Sequence, residues 1–217
     1  GADGIREEVE RSLKRMRTDV IDLYQPHWQD DATPIEERMR ALEDLKKAGK
    51  IRAIGLSNAK PAQVAEYRRF GVIDSLQDKY SMLDRQQEQV NLPTCVRDGL
   101  AFLAYSPLAQ GLLTGKITPD RAFGEGDQRR FKDRFKSENV RKVLDMLEPM
   151  RAIAERHRAE LAQVVVAWTL AQPGCSHVLC GARNPEQAVG NARAGSLELG
   201  AEEVAVIDRA VVAYRGI

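Results

Sequence analysis

The chain has 217 residues, 43% of them hydrophobic and 30% charged. That is the balance of a soluble globular protein with one large domain or two small ones. Its 33 Lys and Arg against 32 Asp and Glu leave a net charge of +1, which gives no pull toward nucleic acid or an anionic membrane.

No apolar run approaches the roughly 18 residues of a membrane span, and no charged–apolar–small signal segment opens the sequence. Cys95, Cys175 and Cys180 form no CxxC pair, and His27, His157 and His177 lie in unrelated contexts. The reading is three reduced thiols in a cytoplasmic protein, with no metal site and no membrane.

In chain order, Asp3 is placed to cap a helix whose apolar face is Ile5, Val9, Leu13 and Met16, at helical spacing. VIDLYQ (Val20–Gln25) reads as a short strand that runs out into Pro26, His27 and Trp28. Thr33-Pro34-Ile35-Glu36 has the form of a capping box with proline in the first helical position. The helix it opens carries Ile35, Met39, Leu42 and Leu45 on one face, with Gly49 at a left-handed stop. IRAIGLSN (51–58) is a strand, and Pro61–Phe70 a helix stopped at Gly71. DSLQDKY (74–80) is a strand, followed by a helix from about Gln89 to Asp98, which accommodates Pro93 only in its first turn. LAFLAYSPL (100–108) is a strand, followed by a long polar insertion. Two helices come next, roughly Asn139–His157 and Leu161–Gln172, then the strand HVLCGA (177–182) and a cap at Asn184-Pro185-Glu186-Gln187. A last amphipathic helix covers about Ala201 to Tyr214.

Five short, mostly apolar strands alternating with amphipathic helices predict a parallel sheet covered by helices. No GxGxxG follows the first strand, so a doubly wound dinucleotide-binding fold lacks its fingerprint. GLLTGK (111–116) imitates a phosphate loop, but three residues separate its glycines and Ile117 stands where Ser or Thr is needed, so it is not a Walker A motif. Ala122–Lys136 combines five basic residues with Phe131 and Phe135. The balanced total charge argues against nucleic acid, and the segment reads as a lid over a ligand or as a solvated loop. Polar residues gather where strands end, at His27, Ser57-Asn58, Gln77 and Tyr105-Ser106. In a parallel barrel those ends form one rim, where the active site is built.

RTDVIDLYQPHWQD, LKKAGKIRAIGLSN, LQDKYSMLDRQ, LAYSPLAQGLLTGK and GARNPEQAVGN resemble, in order, the signature segments of the aldo-keto reductase superfamily, nearer its bacterial and channel-subunit-like branches. The resemblance implies an α/β fold, the family's (β/α)8 TIM barrel, with about five of the eight strands in this chain. It also implies reversible hydride transfer between NADP(H) and a small carbonyl substrate, with NAD(H) the less favoured cofactor. His27 matches the active-site histidine, which donates a hydrogen bond to the carbonyl oxygen. Trp28 matches a wall of the substrate pocket, with a core Trp as the competing reading. Ser57, Asn58 and Gln77 match residues that bond the nicotinamide carboxamide, whose donors and acceptor suit hydroxyl and amide side chains. Tyr105 matches the aromatic stacked on the nicotinamide, not the proton donor. Ser106, Leu108, Gln110 and Leu112 match the loop around the pyrophosphate, with Lys116 either on phosphate or solvated. Gly181, Ala182, Arg183, Gln187 and Asn191 match the segment that reads the adenosine end, where Arg183 can pair with a 2′-phosphate. Cys180 stands where many relatives carry Pro.

The family's reaction also uses an Asp, a Tyr and a Lys upstream of the segment beginning REEVERSLKRM, and residues 1–217 are therefore read as one partial barrel domain, without its first three βα units. Two function classes stand. One is an NADP(H)-dependent reductase of aldehydes or ketones. The other is a non-catalytic NADP(H)-binding redox-sensing module, or a truncated inactive relative.

Overall fold

A computed structural model describes residues 1–30 and 32–214. Among these residues the elements follow the order α1 (Ala2–Met16), β1 (Ile21–Tyr24), α2 (Ile35–Lys47), β2 (Ile51–Ser57), α3 (Pro61–Phe70), β3 (Ser75–Lys79), α4 (Asn91–Asp98), β4 (Ala101–Tyr105), α5 (Ser137–Arg156), α6 (Leu161–Leu170), β5 (His177–Leu179), α7 (Pro185–Ala194) and α8 (Ala201–Ala213). The strands lie in the sheet in chain order. β1 pairs in parallel with β2, and β2 with β3, as expected when a helix returns the chain after each strand.

Local chemistry shifts several element ends from their expected places. α1 begins at Ala2, so Asp3 lies inside its first turn and accepts from Arg6 instead of capping. The capping box at Thr33 does not form, and Pro34 occupies the N-cap without a side-chain bond. Ahead of the helix, Asp30 Oδ1 accepts the Ala32 and Thr33 N–H groups at 2.9 and 2.7 Å. Arg38, buried on α2, then reaches back to the Thr33 and Asp30 carbonyls. A 3₁₀ turn, Gln86–Gln89, precedes α4, which places Pro93 in its first turn. Gly49 is left-handed (φ 73°) as expected. Its N–H bonds Lys46 O and that of Lys50 bonds Leu45 O, so two carbonyls left open by the helix end find donors.

The chain divides into two compact units, Gly1–Asp78 with Glu88–Leu103, and Lys79–Gln87 with Ala104–Ile217. In the first, Val9, Met39, Leu42, Ile51, Ile54, Leu56, Tyr67 and Leu76 are buried between strands and helices. In the second, Val143, Leu147 and Met150 of α5 pack with Val164, Val165 and Trp168 of α6 and Ile207 and Val211 of α8. The Trp168 indole N–H donates to Asp208 at 2.7 Å.

The first unit also buries a carboxyl with no cation against it among the described residues. Asp78 is 5% exposed. Its Oδ2 accepts from Asn91 Nδ2 at 2.8 Å, and Asn91 also donates to Ala59 O at 3.2 Å. Burial pushes the Asp78 carboxyl up to about 6, and the Asn91 bond offsets only part of that. The folded chain therefore holds this proton at a pH where the unfolded chain has lost it. Stability should fall as pH rises from about 4 to about 6. Above that window the penalty is on the order of 2–3 kcal/mol. Asp78→Asn should raise the urea midpoint at pH 8 and flatten its dependence between pH 4 and 6. An unchanged pH profile would contradict the assignment.

Candidate functional site

Parallel pairing in register carries the strand-end side chains to one another. Tyr24 faces Ile54, Gly55 faces Ser75, and Ser57 faces Gln77. Gln25, the residue after β1, continues that register and bonds Ser75 and Gln77, so Gln25, Gly55 and Ser75 form one row. Two residues on, because side chains alternate with period two, Ser57 and Gln77 form the next row on the same face, while His27 lies in the bend beyond β1.

Hydrogen bonds connect the rows. Ser75 Oγ donates to Gln25 Oε1 at 3.2 Å, Gln25 Nε2 to Gln77 Oε1 at 3.2 Å, and Gln77 Nε2 to Ser57 Oγ at 3.4 Å. Asn58 Nδ2 donates to Ser57 Oγ at 3.1 Å and to the His27 carbonyl at 3.0 Å. Asn58 holds a left-handed backbone (φ 55°), a conformation Asn adopts more readily than most residues. Its N–H meets Gln77 O, and the Ser57 N–H meets Pro26 O. Ser57 is 2% exposed, while Gln77 and Asn58 are half-buried. The expected carboxamide set is thus brought together as one bonded group.

His27 and Trp28 are exposed, their rings 5.7 Å apart and tilted by 30°. At 65% exposure Trp28 is not a core residue. Both line a cavity of about 490 Å³ with Tyr24, Gln25 and Arg38. Gln29 braces this turn, donating to Ser57 O at 3.1 Å and accepting from the Tyr67 hydroxyl at 2.9 Å.

The second unit supplies a charged cavity of about 590 Å³, lined by Ser106, Ala109, Gln110, Lys79, Lys132 and Arg134 among others. The loop after β4 turns sharply, with Ser106, Ala109, Gln110 and Gly111 all at positive φ. Such backbone persists only where its surroundings hold it. Here Arg129 donates to Gln110 O at 3.3 Å and Lys132 to Gln110 Oε1 at 2.9 Å. Arg129 is itself gripped by Asp127 and lies over Phe123, 4.6 Å from the ring centroid. The polar insertion is therefore an ordered segment docked on the Gln110 loop by two of its cations.

Asp84 stands behind the cavity, 8% exposed. It accepts from Lys79 at 2.7 Å, from Arg134 through both oxygens at 3.0 and 3.1 Å, and from Ser81 Oγ at 3.1 Å. Burial raises this carboxyl, but its Arg134 and Lys79 bonds and charges prevail and hold it at about 2. Three cations against Asp133 on the lining, with Asp84 behind them, leave the cavity net positive.

The remaining expected residues are placed as follows. Tyr105 is half-buried, and its carbonyl accepts from Tyr80 N–H. Leu112 is fully buried in the core, backbone as well as side chain, and its carbonyl takes the Gly115 N–H, so no part of it faces a ligand. The Leu108 carbonyl takes the Gly111 and Leu113 N–H groups. Lys116 pairs with Glu160 at 2.7 Å on the surface. Gly181, Ala182 and Arg183 are exposed, and Asn191 donates to Gly181 O at 3.2 Å. Gln187 Oε1 accepts the Arg183 N–H, so its amide oxygen shapes the loop.

Sequence reasoning missed Gln25, Ser75, Lys79, Asp84, Arg129, Lys132 and Arg134. Gln25 and Ser75 carried a signal, since each lies two residues before an expected site residue on its own strand. The Asp84–Arg134 pair carried none, because only the fold joins residues that far apart. No group of three or more His, Cys, Asp or Glu among the described residues is arranged to hold a metal, and no described helix is long and apolar enough to cross a membrane.

Residues 2–212 match a profile described as the Aldo/keto reductase family. The chain is 42% identical over 200 residues to the NADH-specific methylglyoxal reductase of Escherichia coli (strain K12), covering 91% of this chain and 61% of that protein. It is 34% identical over 173 residues to aldo-keto reductase yakc [NADP(+)] of Schizosaccharomyces pombe, covering 78% of this chain and 51% of that protein. The solved glycerol dehydrogenase AKR11B4 of Gluconobacter oxydans superposes with a TM-score of 0.93 at 35% identity, over 100% of this chain and 66% of that one. The five strands thus correspond to part of an aldo-keto reductase barrel.

Breaking the Asp84 cluster should be costly. Asp84→Asn leaves Lys79 and Arg134 without their counter-charge and should destabilise the chain by on the order of 2–3 kcal/mol. In the parent chain the stabilisation is complete above about pH 4 and should fade as pH drops toward 2, because the folded carboxyl takes its proton later than the unfolded one. Hydrogen exchange across residues 129–136 checks both, and should quicken in the variant. Unchanged exchange would contradict the clamp.

Proposed function

This chain belongs to the aldo/keto reductase family, and from that premise we propose that it is the cofactor- and histidine-bearing part of an NADP(H)-dependent oxidoreductase that reduces aldehydes or ketones to alcohols. The chain spans 61% of the Escherichia coli relative's length, so the activity of a whole reductase is part of the proposal. The observation that carries it is the bonded group Ser57–Asn58–Gln77 beside His27.

A nicotinamide carboxamide needs donors and an acceptor in one plane. Ser57 Oγ receives two N–H donors, from Asn58 and Gln77, so its own proton is left to donate to a carboxamide oxygen. Gln77 spends one of its two amide hydrogens on Ser57 and keeps the other. Bound nicotinamide would supply the hydride. The His27 ring makes no hydrogen bond within the described residues and is open to donate one to a substrate carbonyl oxygen, drawing charge from carbon. Trp28 offers an apolar wall beside it.

In the second unit, the Ser106–Gly111 loop and the cavity cations Lys79, Lys132 and Arg134 have the charge and donors that a pyrophosphate requires. The exposed Arg183 is assigned to the 2′-phosphate of NADP(H). The two curated relatives are named for different cofactors, NADH and NADP(+), so preference has to be measured on this chain.

Fluorescence titration of the 217-residue chain should show binding of both reduced cofactors, NADPH the tighter. Arg183→Ala should narrow that preference by about tenfold, the worth of one charge-assisted contact. Binding of neither cofactor would refute the reading. Turnover on a panel of aldehydes, methylglyoxal included, would exclude the redox-sensing alternative, whereas binding without turnover is expected of a part that lacks the family's Asp, Tyr and Lys.

A further inference from the structure

The amide ladder beneath the carboxamide group has a direction. Ser75 donates to Gln25, Gln25 to Gln77, and Gln77 to Ser57. Each link fixes the next, because an amide that turns its oxygen one way must turn its NH₂ the other. Gln25 is the residue that sets the orientation. Its Nε2 faces Gln77 Oε1, which forces Gln77 to turn its own Nε2 toward Ser57.

Gln25 reaches that position only because the residue opposite it on β2 has no side chain. A Cβ built on Gly55 would collide with both Ser75 Oγ and Gln25 Oε1. The glycine has no unusual backbone requirement and leaves room for an amide to lie across the middle strand between its neighbours.

We propose that Gln25, admitted by the gap at Gly55, is a positioning residue that orients the Gln77 amide and thereby frees the Ser57 hydroxyl proton for a ligand acceptor. The proposal rests on the assignment of Ser57 and Gln77 to the nicotinamide carboxamide. It adds that their hydrogen-bond polarity is set one row deeper.

Gln25→Glu reverses the ladder. A carboxylate accepts from Ser75 but cannot donate to Gln77, so Gln77 turns its NH₂ toward residue 25 and its oxygen toward Ser57. The Ser57 proton is then drawn to Gln77 Oε1 and lost to the ligand. At pH 8, NADP⁺ should bind the variant about tenfold more weakly, the loss of one hydrogen bond. Binding of 2′,5′-ADP, which lacks the nicotinamide, should be unchanged. Lowering the pH until the new carboxyl is protonated should recover NADP⁺ affinity, since a carboxylic acid can donate. The Gln77 side-chain NH₂ resonances should shift in the variant with or without nucleotide.

Equal losses for both nucleotides would overturn the proposal, as would no loss for either. If the parent chain binds no NADP⁺, the carboxamide assignment fails, and the Gln77 resonances alone decide the ladder: a shift upholds it and none overturns it.

Discussion

Tyr24 faces Ile54, Gly55 faces Ser75 and Ser57 faces Gln77, and every polar contact at these strand ends depends on that register. A slip of one residue on any of the three strands would send its polar side chains to the opposite face. The register is protected by what lies behind it. Leu56 and Leu76, adjacent to Ser57 and Gln77, are fully buried on the other face, so a slip would also take them out of their apolar packing and set them among the polar groups. Apolar burial on one side of the strands therefore holds the hydrogen-bond geometry on the other.

The second unit uses charge rather than register. Asp84 is a buried carboxylate whose desolvation is offset by bonds from Arg134, Lys79 and Ser81. A buried charge lacking such partners would be strongly disfavoured. The cluster fixes Arg134 on the docked insertion and Lys79 at the end of β3, both on one cavity wall. Asp78 is the contrasting case, with a single amide donor and a carboxyl pushed up to about 6. The two carboxyls thus meet burial in opposite ways, and the cations bonded to Asp84 make the difference.

Much of this was legible in the sequence. Five strands separated by amphipathic helices were readable because short apolar runs alternate with segments whose apolar residues keep helical spacing. Gly49 was readable because a left-handed helix stop favours glycine. Strand ends put Ser57, Asn58 and Gln77 on one rim, but their shared role came only through the family resemblance, since nothing local shows that 57 faces 77. Thr33 failed as a cap because the helix starts one residue later, with Pro34 at the N-cap, and Asp30 takes the Thr33 N–H that the box would have paired with Glu36. Gly55 carries no local signal, because what its missing side chain admits depends on Gln25 and Ser75 across the sheet. The Ala122–Lys136 segment was legible in composition, but its docking through Arg129 and Lys132 onto Gln110 was not, because that contact depends on the turn after β4.

On the proposed reading, Ser57, Asn58 and Gln77 hold a nicotinamide carboxamide beside His27. A crystal structure of the chain with NADPH is the decisive experiment. The carboxamide should lie within hydrogen-bond distance of all three side chains. A carboxamide bound elsewhere, with Ser57 still bonded only to Asn58 and Gln77, would contradict it.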